Sequence, residues 1–307
     1  MTADSDTATR APAVSPKVAR RTRGWNTVAI LGVGLLGGSV GLGLLQRGLA
    51  RRIIGIGRRP ASLRTAKQRG AVTETTTDLA RGVKDADLVI VCTPVDLVAN
   101  QVVQVRRLCG PNTLVTDVGS TKQSIVAGVD TIESRERTNL RGTFVGSHPL
   151  AGGEKGGVKY ADPDLFVGRA VVVTPTSSTP AGPLRRTKEL WRSLGGRVTQ
   201  MTAEAHDEAV AAISHLPHLV ASALAASTPR GPLDIVGRGW LDTTRVASGD
   251  VELWRQIFGD NRERLLGRLD LFMNTLAEFR RVLVERDEPG LRRLLEAGKD
   301  IRDAVGN

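Results

Sequence analysis

Short apolar runs rich in β-branched residues recur through the first half of the chain, with amphipathic stretches between them. Thr27–Leu31, Arg52–Ile56, Asp87–Cys92, Asn112–Asp117, Thr143–Ser147 and Ala170–Thr174 read as strands. Leu35–Arg47, Leu97–Arg107 and Thr121–Gly128 read as helices between them, and Pro183–Leu194 as one more, followed by an edge strand near Arg197–Met201. Strands alternating with helices predict right-handed βαβ units and a doubly wound parallel sheet of the α/β class. Leu88–Val91 is apolar without alternation, as expected of a strand covered on both faces.

From about Ala203 the strand signals stop, and Ala, Leu, Arg and Glu take over with helical spacing. Leu265, Leu269, Phe272, Leu276, Phe279 and Leu283 recur at alternating steps of four and three. That is one apolar stripe on a long helix, and it needs a partner helix. A helical domain that also dimerises is the expectation, with an intramolecular bundle as the other use of the stripe.

Composition narrows the class. A chain of 307 residues is long for one compact core and comfortable for two domains. No apolar run approaches the roughly 20 residues that cross a bilayer. The first 23 residues carry no apolar h-region, which excludes a secretory signal and predicts a disordered tail; Asp4 and Asp6 argue against a transit peptide. The net charge of +11 is mostly Arg, spread from Arg10 to Arg302 without a long basic run. With one Tyr and five Phe, no basic–aromatic surface for nucleic acid is apparent, whereas anionic substrates and phosphorylated cofactors are attracted. Cys92 and Cys109 have neither metal-ligand spacing nor a CxxC pair. Cys92 reads as a buried thiol, and such usage fits a reducing cytoplasm.

The first strand runs into Gly32-Val33-Gly34-Leu35-Leu36-Gly37, and a helix follows. Gly32 permits the tight turn, Gly34 lets backbone approach a pyrophosphate, and Gly37 lets helix pack on strand. In this strand–turn–helix setting the motif predicts a Rossmann-type dinucleotide site, with the pyrophosphate at the helix start and Thr93 and Pro94 beside it. An NAD site usually places Asp or Glu at the end of the second strand; here stand Gly57, Arg58 and Arg59, with Ser62 close behind. Glycine makes room for a 2′-phosphate and the guanidiniums can grip it, so NADP is expected over NAD. The predicted organisation is a tail over 1–23, a dinucleotide-binding domain over 24–202 and a helical dimerisation and substrate domain over 203–307.

Three further segments resemble the prephenate/arogenate (cyclohexadienyl) dehydrogenase family: Thr116-Asp117-Val118-Gly119-Ser120-Thr121-Lys122, the run Gly146–Gly157 containing Ser147-His148-Pro149, and Ser214-His215-Leu216-Pro217-His218. Asp242-Thr243-Thr244-Arg245 and Trp254 complete a pattern that runs from Val28 to about Leu283. The resemblance implies that the protein oxidises and decarboxylates prephenate, or arogenate, on the way to tyrosine. It implies His148 as catalytic acid/base, Ser120 as ligand of the substrate's ring hydroxyl, Arg245 as anchor of a substrate carboxylate, and His218 in the pocket wall. Glu154 matches an acidic position of many prephenate-using members. Two departures bear on substrate choice: Gly153 stands where a threonine is common, and Leu241 where some members carry a polar or cationic residue. Glu154 leans towards prephenate and the Gly57-Arg58-Arg59 run towards arogenate.

The residue chemistry agrees with those roles. A neutral imidazole can take the hydroxyl proton as the carbonyl forms, and an Arg fork holds a carboxylate. Ser120 also has the position of a cap for the helix starting near Thr121. Trp254 suits packing and pocket equally, and His206 is assigned to structure. His215 and His218, at i and i+3 around Pro217, suit core or kink positions as well as a pocket, and lack a third ligand for a metal. Rival readings are a β-hydroxyacid dehydrogenase or imine reductase of the same architecture, and a non-enzymatic NADP-binding sensor. The first group expects a catalytic lysine in the helical domain, and no lysine lies between Lys188 and Lys299. The chain ends soon after the helical segment, so inhibition by tyrosine is expected to act at or near the active site.

Overall fold

A computed structural model describes residues 24–136, 140–153 and 155–306. The predicted tail and Glu154 therefore lie outside the described residues. The chain opens with β1 (Trp25–Leu31), α1 (Leu35–Gln46), β2 (Ala50–Ile56), α2 (Pro60–Gln68), β3 (Glu74–Thr76) and α3 (Leu79–Val83). It continues through β4 (Leu88–Val91), α4 (Val95–Leu108), β5 (Leu114–Asp117), α5 (Gln123–Glu136) and β6 (Thr143–Pro149). β7 (Ala170–Thr174), α6 (Ala181–Ser193) and β8 (Arg197–Gln200) complete an eight-stranded sheet in the order β3-β2-β1-β4-β5-β6-β7-β8.

The strand order reverses between β1 and β4, which opens a crevice at the carboxyl ends of these strands. Two apolar layers explain why the sheet holds. Val28, Ile30, Leu88 and Ile90 point to one face, and Ala29, Leu31, Val89 and Val91 to the other. β4 is wholly buried, as its unbroken apolar run required. Each buried Val or Ile side chain contributes about 1.5–3 kcal/mol.

The sheet departs from the expected all-parallel form. β7 pairs antiparallel with β6, and β8 is parallel to β7, so the last two strands run against the rest. The physical reason is the connection. Among the described residues of 150–169 there is only a short 3₁₀ turn, Val158–Tyr160, and no crossover helix to carry the chain back to the starting edge.

From Ala203 on, every regular element is helical: α7 (Ala203–Val210), a π-helical turn (Ala211–His215), α8 (Leu216–Ser227), α9 (Arg238–Thr244), α10 (Val251–Asp260), α11 (Arg262–Glu285) and α12 (Glu288–Val305). Pro217 has no N–H to continue the ladder, and the π turn takes up the mismatch just before it. Contrary to the sequence reading, the continuous run Ala203–Ser227 is long and apolar enough by length and composition to span a bilayer. Its Asp207 carboxylate accepts hydrogen bonds from the backbone of Lys122 and Gln123, which seats the run against the α/β domain. The expected stripe lies on α11. Leu265 is buried, while Leu276 and Leu283 are exposed together with Leu266 and Met273.

Candidate active site

Two built features meet at the carboxyl ends of the central strands. The first is the glycine turn between β1 and α1. Gly32 has φ +95°, and a Cβ there would lie 2.5 Å from the carbonyl oxygen of Cys92. At Gly37 a Cβ would lie 2.3 Å from the oxygen of Gly32 and 2.9 Å from Ile30, so only glycine lets α1 sit this close. Gly34 is different: nothing lies within 4 Å of the site a Cβ would occupy. The first turn of α1, Leu35 to Gly37, has no side-chain cap and no acidic residue, so its N–H groups and positive dipole end suit a pyrophosphate. The glycines, Leu35 and Leu36 thus form a cradle that a dinucleotide fits.

The other expected cofactor residues surround the crevice. Arg58 and Arg59 are exposed just beyond β2, and neither has a side-chain partner among the described residues. Arg59 is the residue before α2, whose first position is Pro60, and Ser62 is exposed in its first turn. Thr93 leans on the Gly32 turn and donates its hydroxyl to Gln101 Oε1 at 2.5 Å, while Pro94 precedes α4. Cys92, read as a buried thiol, is only partly covered where β4 meets this turn; Cys109 is buried, and both are free.

The second feature is a cavity of about 510 Å³ between the two domains. Ser120, His148, His218, Arg245 and Trp254, all expected at the site, line it together with Gly153 and His215. Leu241 is exposed on α9 and is not among the lining residues. His148 is the last residue but one of β6, held in register opposite Val172 of β7. Behind it a buried network fixes the strand end. Asp117 accepts from the N–H groups of Gly119 (2.9 Å) and Ser147 (3.0 Å) and from the Lys122 ammonium, which also donates to the Ser147 carbonyl at 3.0 Å. The Ser147 hydroxyl donates to the Asp117 carbonyl at 2.6 Å and accepts from Trp191 Nε1 at 3.0 Å. Lys122 and Asp117 are fully buried. Burial pulls the lysine down from its ordinary pKa, and Asp117 opposes that pull.

His206, assigned to structure from sequence, reaches the site directly. Its Nε2 lies 2.8 Å from His148 Nδ1, and its Nδ1 lies 2.7 Å from Asp207 Oδ1. The same carboxylate accepts from the N–H groups of Lys122 (2.8 Å) and Gln123 (2.9 Å) at the start of α5. That corrects the capping expectation: Asp207 of the helical domain, not Ser120, caps α5, and the Ser120 side chain is turned to the cavity. Burial alone would raise Asp207, but the hydrogen bonds from His206, Gln123 and Lys122 outweigh it and hold the carboxyl below its usual range. Burial, reinforced by His206, Lys122 and His215, keeps His148 well below the usual histidine range, so it is neutral at pH 7.

The remaining two histidines share one aromatic wall. His218 stacks on Trp254 at 3.6 Å between ring centroids, and its buried Nδ1 has no hydrogen-bond partner among the described residues. His215 Nδ1 lies 3.2 Å from Asn261 Nδ2, and burial lowers its pKa to about 4. Gly249 lets this wall close, since a Cβ there would meet Trp254 Nε1 at 2.8 Å. Arg245 sits in a short 3₁₀ turn at the cavity rim, exposed. The arrangement offers a neutral imidazole, a hydroxyl, a guanidinium and an aromatic wall beside a dinucleotide cradle. That set suits proton removal from an alcohol held by its own carboxylate.

The family model described as prephenate dehydrogenase, nucleotide-binding domain, matches residues 40–200, and the one described as prephenate dehydrogenase, dimerization domain, matches residues 202–297. A prephenate dehydrogenase of Bacillus subtilis is 32% identical over 290 residues, covering 91% of this chain and 76% of the relative. The solved prephenate dehydrogenase of A. aeolicus, in complex with hydroxyphenyl propionate and NAD+, is 32% identical with TM-score 0.82, covering 91% of this chain and 98% of its own. The Synechocystis arogenate dehydrogenase is 30% identical with TM-score 0.76, covering 91% and 99%. These matches span both domains and all the cavity-lining segments, and the chain belongs to the prephenate dehydrogenase family.

Proposed function

We propose that this protein carries out the oxidative decarboxylation of prephenate to 4-hydroxyphenylpyruvate in tyrosine biosynthesis, with NADP preferred over NAD. The observation that carries the reading is His148, neutral and half-buried, facing one cavity with Ser120 and Arg245 beside the glycine cradle. The nicotinamide ring, when bound, supplies the acceptor for the hydride. Gly32, Gly34, Leu35, Leu36 and Gly37 would hold its pyrophosphate, with Thr93 and Pro94 flanking. Arg58, Arg59 and Ser62 would grip the 2′-phosphate, and no carboxylate stands among residues 57–62 to repel it.

In this mechanism Arg245 binds a substrate carboxylate and Ser120 holds the ring hydroxyl. His148 takes the hydroxyl proton as the C–H electron pair leaves as hydride. The C–carboxylate bond then breaks, CO₂ departs, and its electron pair enters the ring, which becomes aromatic. The phenolate oxygen regains the proton from His148, so hydride and CO₂ are the only groups lost. Trp254 and His218 form the wall against which the ring packs, and Glu154 is retained as a substrate-side acid. Arogenate, which differs in carrying an amino group on the side chain, fits the same chemistry, and the Synechocystis relative is an arogenate dehydrogenase.

The domain division at 202/203, the homodimer and a cytoplasmic location belong to the same proposal. The exposed apolar positions Leu266, Met273, Leu276 and Leu283 on α11 support the dimer, and the two free cysteines support the location. The test is His148→Asn in the full chain. Turnover is expected to vanish while NADP binding, read by fluorescence titration, persists. Undiminished turnover overturns the base assignment.

A further inference from the structure

The chain has four histidines in 307 residues, and His148, His206, His215 and His218 all gather around the interdomain cavity. Three of them have plain tasks in the site described above, which leaves His206 and its neighbour Asp207 to be explained. Both are buried, at 0% and 2% exposure, and neither lines the cavity.

We propose that His206 and Asp207 are positioning residues that hold His148 in the one tautomer able to act as base, with Nδ1 protonated and Nε2 bare towards the substrate. This rests on the assignment of His148 as the base. The direction of the chain is set at its far end. A carboxylate only accepts, and Asp207 already accepts from two backbone N–H groups, so His206 Nδ1, at 2.7 Å, carries the proton. The proposal places one ring proton on His206, at Nδ1, and so leaves its Nε2 bare. At 2.8 Å from it, His148 Nδ1 must donate, and a neutral His148 is left with its lone pair on Nε2. When Nε2 takes the substrate proton, Nδ1–H still points at an acceptor, and the Asp207 charge lies behind to favour the imidazolium.

One carboxylate has a second task here. By clasping the N–H groups of Lys122 and Gln123 it fixes the backbone two and three residues after Ser120. The base on β6 and the hydroxyl ligand before α5 are thereby referred to one side chain of the helical domain. A change in the seating of α7 would move both together.

The test compares His206→Phe, which removes the acceptor, with His206→Gln, whose amide oxygen can replace it. Both are assayed for NADPH formation with prephenate, beside His148→Asn. His206→Phe is expected to lower kcat at least about tenfold, with KM for NADP unchanged, and His206→Gln to restore most of that loss. A parental kcat in His206→Phe, or an equal loss in both variants, overturns the relay. If His148→Asn is inactive while His206→Phe is not, the relay alone fails; if His148→Asn turns over normally, the base assignment fails with it. A second measurement needs no variant enzyme to be active. Ring ¹⁵N spectra of the parent protein contain only four histidine rings, and the pair of nitrogen signals lost in His148→Asn identifies the base. A bare Nε2 and protonated Nδ1 on His148 are expected, and the opposite tautomer overturns the proposal.

Discussion

Replacing Lys122 with Met probes the buried ion pair that sets the end of the active-site strand. Lys122 and Asp117 are both fully covered. Without the ammonium, the Asp117 carboxylate stays in the interior with only the N–H groups of Gly119 and Ser147, at 2.9 and 3.0 Å. The Ser147 carbonyl also loses its donor at 3.0 Å. Stranding one member of a buried pair costs about 3–5 kcal/mol, and the two donors that remain place this case near 3 kcal/mol. The lost bond to the carbonyl adds about 1 kcal/mol, for a total of about 4 kcal/mol. In a domain of this size that lowers the melting temperature by about 8–16 °C. Trp191, buried and bonded to the Ser147 hydroxyl at 3.0 Å, places a fluorophore beside the pair. Urea unfolding followed by tryptophan emission should therefore be run on the parent, Lys122→Met, Asp117→Asn and the double variant. The double variant is expected to lose about 2 kcal/mol less than the sum of the singles, because no lone charge is left behind. A loss below about 1 kcal/mol in Lys122→Met would refute the reasoning.

Four further outcomes are expected. Replacing Arg58 and Arg59 together with Ala should lower kcat/KM for NADP by about 100-fold, each exposed charge-assisted contact being worth about 1.4 kcal/mol, and leave NAD within about twofold; equal losses with both cofactors contradict the assignment. Because burial holds His148 below the ordinary histidine pKa, the acid limb of kcat/KM should fall with a midpoint below 6.5, and a midpoint at or above 6.5 contradicts a neutral buried base. Stability follows the same sign: His215, lowered to about 4, binds its proton more tightly unfolded, so unfolding free energy should drop as pH falls from about 6.5 towards 4, by up to about 3 kcal/mol from this group, in urea titrations. Leu276→Asp with Leu283→Asp, both on exposed positions of α11, should shift the parent dimer to monomer in sedimentation velocity, and a parent that is already monomeric refutes the interface.

What the sequence makes legible follows the range of the interactions involved. β4 and β7 could be read because an apolar strand buried on both faces leaves a continuous run, Leu88–Val91 or Ala170–Thr174. The cofactor turn could be read because its demands fall on adjacent residues, a left-handed Gly32 and a close-packed Gly37. β3, Glu74-Thr75-Thr76, escaped because a three-residue polar edge strand carries no such pattern. The reversal of β7 escaped because it depends on what the 150–169 connection lacks. Within the site, the positions of His148, Ser120, Arg245, His218 and Trp254 were accessible through motifs. The partnership of His206 with His148 spans 58 residues and two domains, and a buried His-Asp pair at the start of a helix looks like packing when read alone. The one signal on offer was scarcity: four histidines in the whole chain, two flanking Pro217 and one opening the helical segment nearby. The α5 cap was misread for the same reason, since a local serine was at hand and the real acceptor, Asp207, comes from 85 residues away.

The most direct test of the central claim is a spectrophotometric assay of NADP and NAD reduction by the full chain, with prephenate and arogenate in parallel. NADPH formation with prephenate, faster than NADH formation at equal cofactor concentration, is the predicted result. No reduction in any of the four combinations, from folded protein that still binds NADP, would contradict it.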